Sequence, residues 1–112
     1  MKNSIILVTE NGLGKGSVEL QQLLATKYFS LLLQNNELPS AICFYTDGVK
    51  LTVTGSPVLE QLKALEGKGV RIIACSTCLD HYKLTDSLQV GVAGSMADII
   101  EAQTKAGKVI TI

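Results

Sequence analysis

The chain has 112 residues, with ten Lys plus Arg set against ten Asp plus Glu and three cysteines. That length supports a single domain, 1–112, and such a domain buries about two thirds of the surface its unfolded chain exposes. Balanced charge without a block of one sign, and aromatics at 4% of residues, argue against a nucleic-acid surface built on phosphate neutralisation or base stacking.

No apolar run is long enough to span a bilayer. Ile5-Ile-Leu-Val8 is too short for a signal-peptide core, so the chain reads as soluble and cytoplasmic with no membrane partner. An odd cysteine count does not fit a secreted disulfide framework.

In chain order, Ile5–Val8 is a continuous apolar run, as in a strand buried on both faces of a parallel sheet. The loop Asn11-Gly-Leu-Gly-Lys-Gly16 follows. Ser17 is a plausible cap for a helix to about Leu33, with Glu19 in its first turn. Leu20, Leu23, Leu24, Tyr28, Leu31 and Leu32 repeat at helical spacing, and Phe29 and Leu33 widen the stripe. This stripe fits a well-buried helix or one that packs partly on another subunit.

Asn35–Pro39 breaks the helix. Ala41–Tyr45 is the second strand, with Cys43 inside it as a core thiol. Thr46–Val49 is a turn, and Lys50–Thr54 is a short extended piece or loop. Ser56-Pro57 opens a second helix, with the proline at its first position and Gly67 at its end. Val70–Ile73 is a third strand, Leu88–Val92 a fourth and Lys108–Ile112 a fifth, with a helix from Ser95 to about Lys105 before the last. Strands alternating with helices predict a three-layer α/β/α sandwich with a mainly parallel five-stranded sheet.

Between the third and fourth strands lies Cys75-Ser-Thr-Cys78, with Thr77 and Asp80 spaced like a capping box. A cysteine in the first turn of a helix feels amide donors and the positive dipole end, which favour the reactive thiolate. Ligand sites in open α/β sheets lie beyond the carboxyl ends of the strands. The loops at that edge are 11–16, 46–49, 75–78 and 93–95, so the candidate site holds Cys75 and Cys78 with Asn11, Gly12, Gly14, Asp47, Gly48, Thr77 and Ser95 around them.

Gly12-Leu-Gly-Lys-Gly16 matches neither a P-loop nor a dinucleotide fingerprint. It reads as a sharp turn, with an anion-binding nest as the weaker alternative; no cofactor is expected. Cys75, Cys78 and His81 fall at C-x-x-C-x-x-H, but a helix start leaves little room for tetrahedral ligation by all three, and no metal is expected. Both prolines, Pro39 and Pro57, precede the cysteines, against a thioredoxin arrangement. A reversible Cys75–Cys78 disulfide and a sulfur relay through a persulfide stay open, as does a non-catalytic binding module.

Several segments carry a resemblance. Cys75-Ser-Thr-Cys-Leu-Asp-His-Tyr-Lys-Leu84, Val90-Gly-Val92 and Ser95–Glu101, with Phe44–Leu51 and Gly12–Leu20, resemble the DsrE/DsrF-like family, closest to the DsrE-like domain of YedF-type proteins. Such proteins are described as sulfurtransferase-like and connected with selenium metabolism. The resemblance covers essentially the whole chain. It implies a DsrE-like fold, often a homo-oligomer, and a cysteine after the third strand that carries sulfur as a persulfide. Cys75 falls at that position and Cys78 belongs to the YedF-type pattern, so the resemblance implies Cys75 as carrier and Cys78 as its partner, with the reverse assignment open. His81 stands where the family suggests an aromatic residue. The TusA/SirA-like domain that often accompanies YedF-type proteins is not among these residues, which implies a separate TusA/SirA-like protein as sulfur donor or acceptor.

Overall fold

The computed structural model describes residues 1–112, and β1 (Ser4–Val8) is buried along its whole length. A strand with no exposed face needs neighbours on both edges and cover on both sides. β1 pairs in parallel with β2 (Ala41–Phe44) on one edge and β5 (Lys108–Thr111) on the other. β3 (Arg71–Cys75) continues from β2, and β4 (Val92–Gly94) closes that side, again in parallel. The order is β4-β3-β2-β1-β5. Val8 pairs with Phe44, Phe44 with Ala74, and Cys75 with Gly94, so these strand ends form one edge.

The chain steps from β1 to β4 through α1 (Val18–Gln34), α2 (Leu59–Gly67) and α3 (Ser76–His81), and α4 (Met96–Lys105) carries it back to β5. Right-handed crossovers then put α1, α2 and α3 on one face and α4 on the other. The expected three-layer α/β/α architecture is present, with every strand parallel. Phe29 of α1 and Phe44 of β2 meet in the core with ring centroids 6.5 Å apart. Leu62 and Leu65 of α2, Leu79 of α3 and Ile99 of α4 are buried with them. Each such side chain contributes roughly 1.5–3 kcal/mol through burial.

Helix α1 begins as expected: the Ser17 hydroxyl accepts from the Leu20 amide at 3.2 Å. Its buried face differs. Gln21, Ala25, Phe29 and Leu32 face the core, whereas Leu20, Leu23, Leu24 and Leu31 are 37–53% exposed. The helix is apolar around most of its circumference, so spacing could not select the face. Ala25 and Phe29 are fully buried, and Phe29 packs on Phe44 of the sheet.

Three further boundaries shift for local reasons. Helix α2 starts at Leu59, not at Pro57, because the Ser56 hydroxyl accepts from the Val58 amide and closes a turn ahead of it. Thr46–Thr52 forms a 3-10 helix that buries Val49 and Leu51, in place of a turn and an extended piece. Leu88–Gly91 does not join β3. Leu88 bridges Val53, and the Gln89 amide donates to the Thr52 carbonyl at 2.9 Å, so that backbone pairs with the 3-10 segment instead. The expected capping box at Ser95 does form: Ser95 and Asp98 bond reciprocally at the start of α4.

Candidate functional site

Strand β3 passes into α3 without a loop, and Cys75 is both the last residue of the strand and the N-cap of the helix. The cap makes no side-chain hydrogen bond to the helix, so the Thr77–Asp80 capping box expected from the sequence is absent. Cys75 is 1% exposed and belongs to the hydrophobic core. Cys78, one helical turn on, is half-buried. Residues three apart share a helix face, so the two sulfurs stack: Cys75 beneath, Cys78 above it and toward solvent.

The Cys78 sulfur accepts a hydrogen bond from the Thr46 backbone amide at 3.1 Å. Thr46 follows β2, and its hydroxyl donates to the carbonyl of Thr9, just past β1, at 2.8 Å. The carboxyl ends of three neighbouring strands are thus tied together at this sulfur. Thr46, Thr77, Cys78, His81 and Tyr82 line a shallow cavity of about 290 Å³. Its wall is braced from behind. The Tyr82 hydroxyl donates to Asp47 Oδ1 at 2.7 Å, and Lys50 Nζ lies 3.2 Å from the same oxygen and 4.6 Å from the Tyr82 ring centroid. The bond from Tyr82, then that from Lys50, holds the Asp47 carboxyl below the usual range, and the same carboxylate raises the Tyr82 phenol.

Burial pushes the Cys78 thiol up; the Thr46 amide pulls it down, and the hydrogen bond and charge of Cys75 push it up again. The net direction is upward, which corrects the expectation of a thiolate favoured by the helix start. The reason is burial, which outweighs the amide that reaches this sulfur, and that amide comes from Thr46 rather than from the first turn of α3. Cys43 sits in β2 with no exposure, and burial raises its thiol to about 11, in keeping with a core thiol. Cys75, Cys78 and His81 form no group able to hold a metal ion.

The remaining candidates separate. Thr77 lines the Cys78 cavity, and Asp47 stands behind its wall. Gly48 is buried where a Cβ would strike the Val8 carbonyl, so it serves the close approach of β1 and the 3-10 helix. Asn11 lines a different cavity, beyond Tyr82, and accepts from Gln22 at 3.3 Å. Gly12 and Gly14 belong to a loop folded back on α1: the Leu13 amide donates to the Gln21 carbonyl at 2.9 Å, and the Gln21 side chain donates to the Gly14 carbonyl at 2.6 Å. Ser95 caps α4 and does not reach the cysteine cavity. Asn11, Gly12, Gly14, Gly48 and Ser95 thus share an edge with Cys78 but do not line its cavity. Sequence reasoning did not single out Thr46 or Tyr82 as site residues and weighed His81 only as a metal ligand. The i+3 and i+4 spacing of His81 and Tyr82 from Cys78 was the available signal.

No helix is long and apolar enough to cross a membrane. Among solved structures, the chain is similar to the ychN protein of E. coli, at 19% identity and a TM-score of 0.72 over 100% of both chains. It is also similar to MTH1491, a protein of unknown function from Methanobacterium thermoautotrophicum, at 22% identity and a TM-score of 0.71, again over 100% of both chains. A search of curated proteins returns no match. The model of the DsrE/DsrF-like family matches residues 13–112, which include every strand end that forms the cavity except β1, and the chain belongs to that family, which is associated generally with sulfur relay.

Proposed function

We propose that this protein is a sulfur carrier that holds sulfane sulfur as a persulfide on Cys78. The observation that carries the reading is the placement of the Cys78 sulfur: half-buried, open to a cavity at the carboxyl edge of a parallel sheet, and met by an amide donor from another segment. Cys75 has the same chemistry without access. The assignment of the two thiols is therefore the reverse of the one the resemblance first suggested.

In the loading step the Cys78 thiolate attacks the outer sulfur of a donor persulfide. A new S–S bond forms on Cys78, the donor's S–S bond breaks, and the donor leaves as a thiolate. Sulfur is transferred without net oxidation, and the proton on the outer sulfur travels with it. Release is the same exchange run onto an acceptor thiolate. Because the resting thiol is raised, it must first lose a proton. His81, the only histidine of the chain, lines the same cavity and supplies a base there. A TusA/SirA-like protein fits the role of donor or acceptor, since the cavity is shallow and open enough for a thiol presented by a partner. The test is cyanolysable sulfur after exposure to a persulfide donor: Cys75→Ala retains it and Cys78→Ser loses it. Equal retention in both variants overturns the reading.

The exposed leucines of α1 support self-association of this carrier. Leu20, Leu23, Leu24 and Leu31 form an apolar row on a monomer, more than scattered surface hydrophobics require. The α1 face is then a contact between copies. Leu23→Lys with Leu31→Lys shifts the sedimentation of an oligomer to that of a monomer; a wild-type chain that sediments as a monomer contradicts this part.

A further inference from the structure

Thr46 was not among the candidate site residues in the sequence, yet three observations converge on it. Its amide is the backbone donor on the Cys78 sulfur, at 3.1 Å. Its φ is +48°, a left-handed conformation that is a genuine outlier for a β-branched residue. Its hydroxyl lies 2.8 Å from the Thr9 carbonyl and 2.7 Å from that of Tyr45. Such backbone persists only where surrounding contacts over-determine it. Here the contact is the hydroxyl, and what the conformation achieves is the aim of the amide.

We propose that Thr46 is a positioning residue for Cys78: its hydroxyl, anchored on the strand end at Thr9, holds a left-handed backbone that points the amide at the sulfur and steadies its negative charge. The inference deepens the sulfur-carrier reading and rests on Cys78 being the reactive thiol. In release, the acceptor thiolate bonds to the outer sulfur, and the electron pair of the broken S–S bond stays on Cys78. A donor that favours the Cys78 thiolate makes it a better leaving group.

The other groups around this sulfur do not replace that donor. Cys75, from β3, raises the Cys78 thiol. From the 3-10 segment, Lys50 is engaged with Asp47 and the Tyr82 ring, and Asp47 is a carboxylate. From α3 itself, Tyr82 directs its hydroxyl to Asp47, and His81 lines the cavity with no hydrogen bond to the sulfur.

The test is the pH profile of Cys78 alkylation by iodoacetamide in the full chain, with the labelled residue identified by peptide mass. Thr46→Val removes the hydroxyl and keeps the branched shape. It moves the midpoint upward and slows alkylation at neutral pH by roughly tenfold, the equivalent of about one pH unit. Thr46→Ser keeps the anchor and restores the wild-type profile. Thr46→Gly adopts the left-handed backbone without strain and falls between the two, which keeps the test decisive if the valine variant fails to fold. A valine or glycine profile that overlays the wild type, or a serine profile displaced as far as the valine one, overturns the proposal. Sulfane loading of the wild-type chain is scored separately: a shifted alkylation profile with no loading sustains Thr46 as the positioning residue and removes the sulfur reading.

Discussion

Two segments at the same edge of the sheet, both candidates for the site in the sequence, differ in what they leave unspent. The glycine-rich loop after β1 turns its polar groups inward: Leu13 donates to the Gln21 carbonyl, Gln21 to the Gly14 carbonyl and Gln22 to Asn11. The joint after β3 leaves a sulfur at a cavity, held from outside its own helix by Thr46. A loop that satisfies itself is a structural device; one that leaves a nucleophile open is equipped for exchange. Position at the carboxyl edge of the sheet does not by itself separate the two.

The comparison is sharpened most by the thiols. Cys78→Ser slows alkylation of the native chain by about a hundredfold or more, because buried thiols are inert. Cys75→Ala raises it by roughly two- to fivefold, since the neighbour that pushes the Cys78 thiol upward is gone. Alkylation mapped mainly to Cys75 breaks the contrast. The midpoint of the wild-type rate profile lies above the ordinary thiol value of about 8.5, following the direction set by burial.

The glycine loop gives the opposite pattern: stability falls and sulfur chemistry does not. Gly12 has φ +147°, and a Cβ there would strike the Gln21 backbone. Gly12→Ala therefore destabilises the fold by about 2 kcal/mol or more by denaturant titration. Gln21→Ala, which removes the buried amide on Gly14, costs about 1 kcal/mol. Both leave the alkylation profile of Cys78 within about twofold of wild type, less than the tenfold of one pK unit. A change in that profile as large as the one from Thr46→Val joins the two segments into one site.

The smallest effect belongs to Asp47. Its folded carboxyl is depressed by Tyr82 and Lys50, so its contribution is fully present above the unfolded carboxylate value. That contribution is lost as pH falls through the depressed one. The carboxylate is largely solvated, with side-chain exposure of 48%, and screening limits it to about half a kcal/mol. Asp47→Asn flattens the acid limb of the stability curve by that amount. A larger loss of Cys78 reactivity than of stability shows that the Tyr82 wall itself shapes the cavity.

The alternation of apolar strands and capped helices was enough to read the layers and the parallel sheet, because continuous runs such as Ile5–Val8 and Ala41–Phe44 fit only buried strands. The Ser17 and Ser95 caps were legible for the same reason: they are local. What was not legible depends on tertiary neighbours. Which face of α1 is buried depends on what packs against it, and Gln21, Ala25, Phe29 and Leu32 are the residues covered. The segment before β4 was misassigned because its backbone pairs with residues more than thirty positions away. The cysteine edge could be located, yet the order of the two thiols could not. Access depends on where β3 stops and α3 starts, and that joint lies on Cys75 itself.

The most direct test of the central claim is the intact mass of the native chain after incubation with a persulfide donor, for wild type, Cys75→Ala and Cys78→Ser. The account predicts one added sulfur, removed by reductant, in the wild type and Cys75→Ala but not in Cys78→Ser. An added sulfur that survives Cys78→Ser and disappears in Cys75→Ala, or a loss of two hydrogens with no sulfur gained, would contradict it.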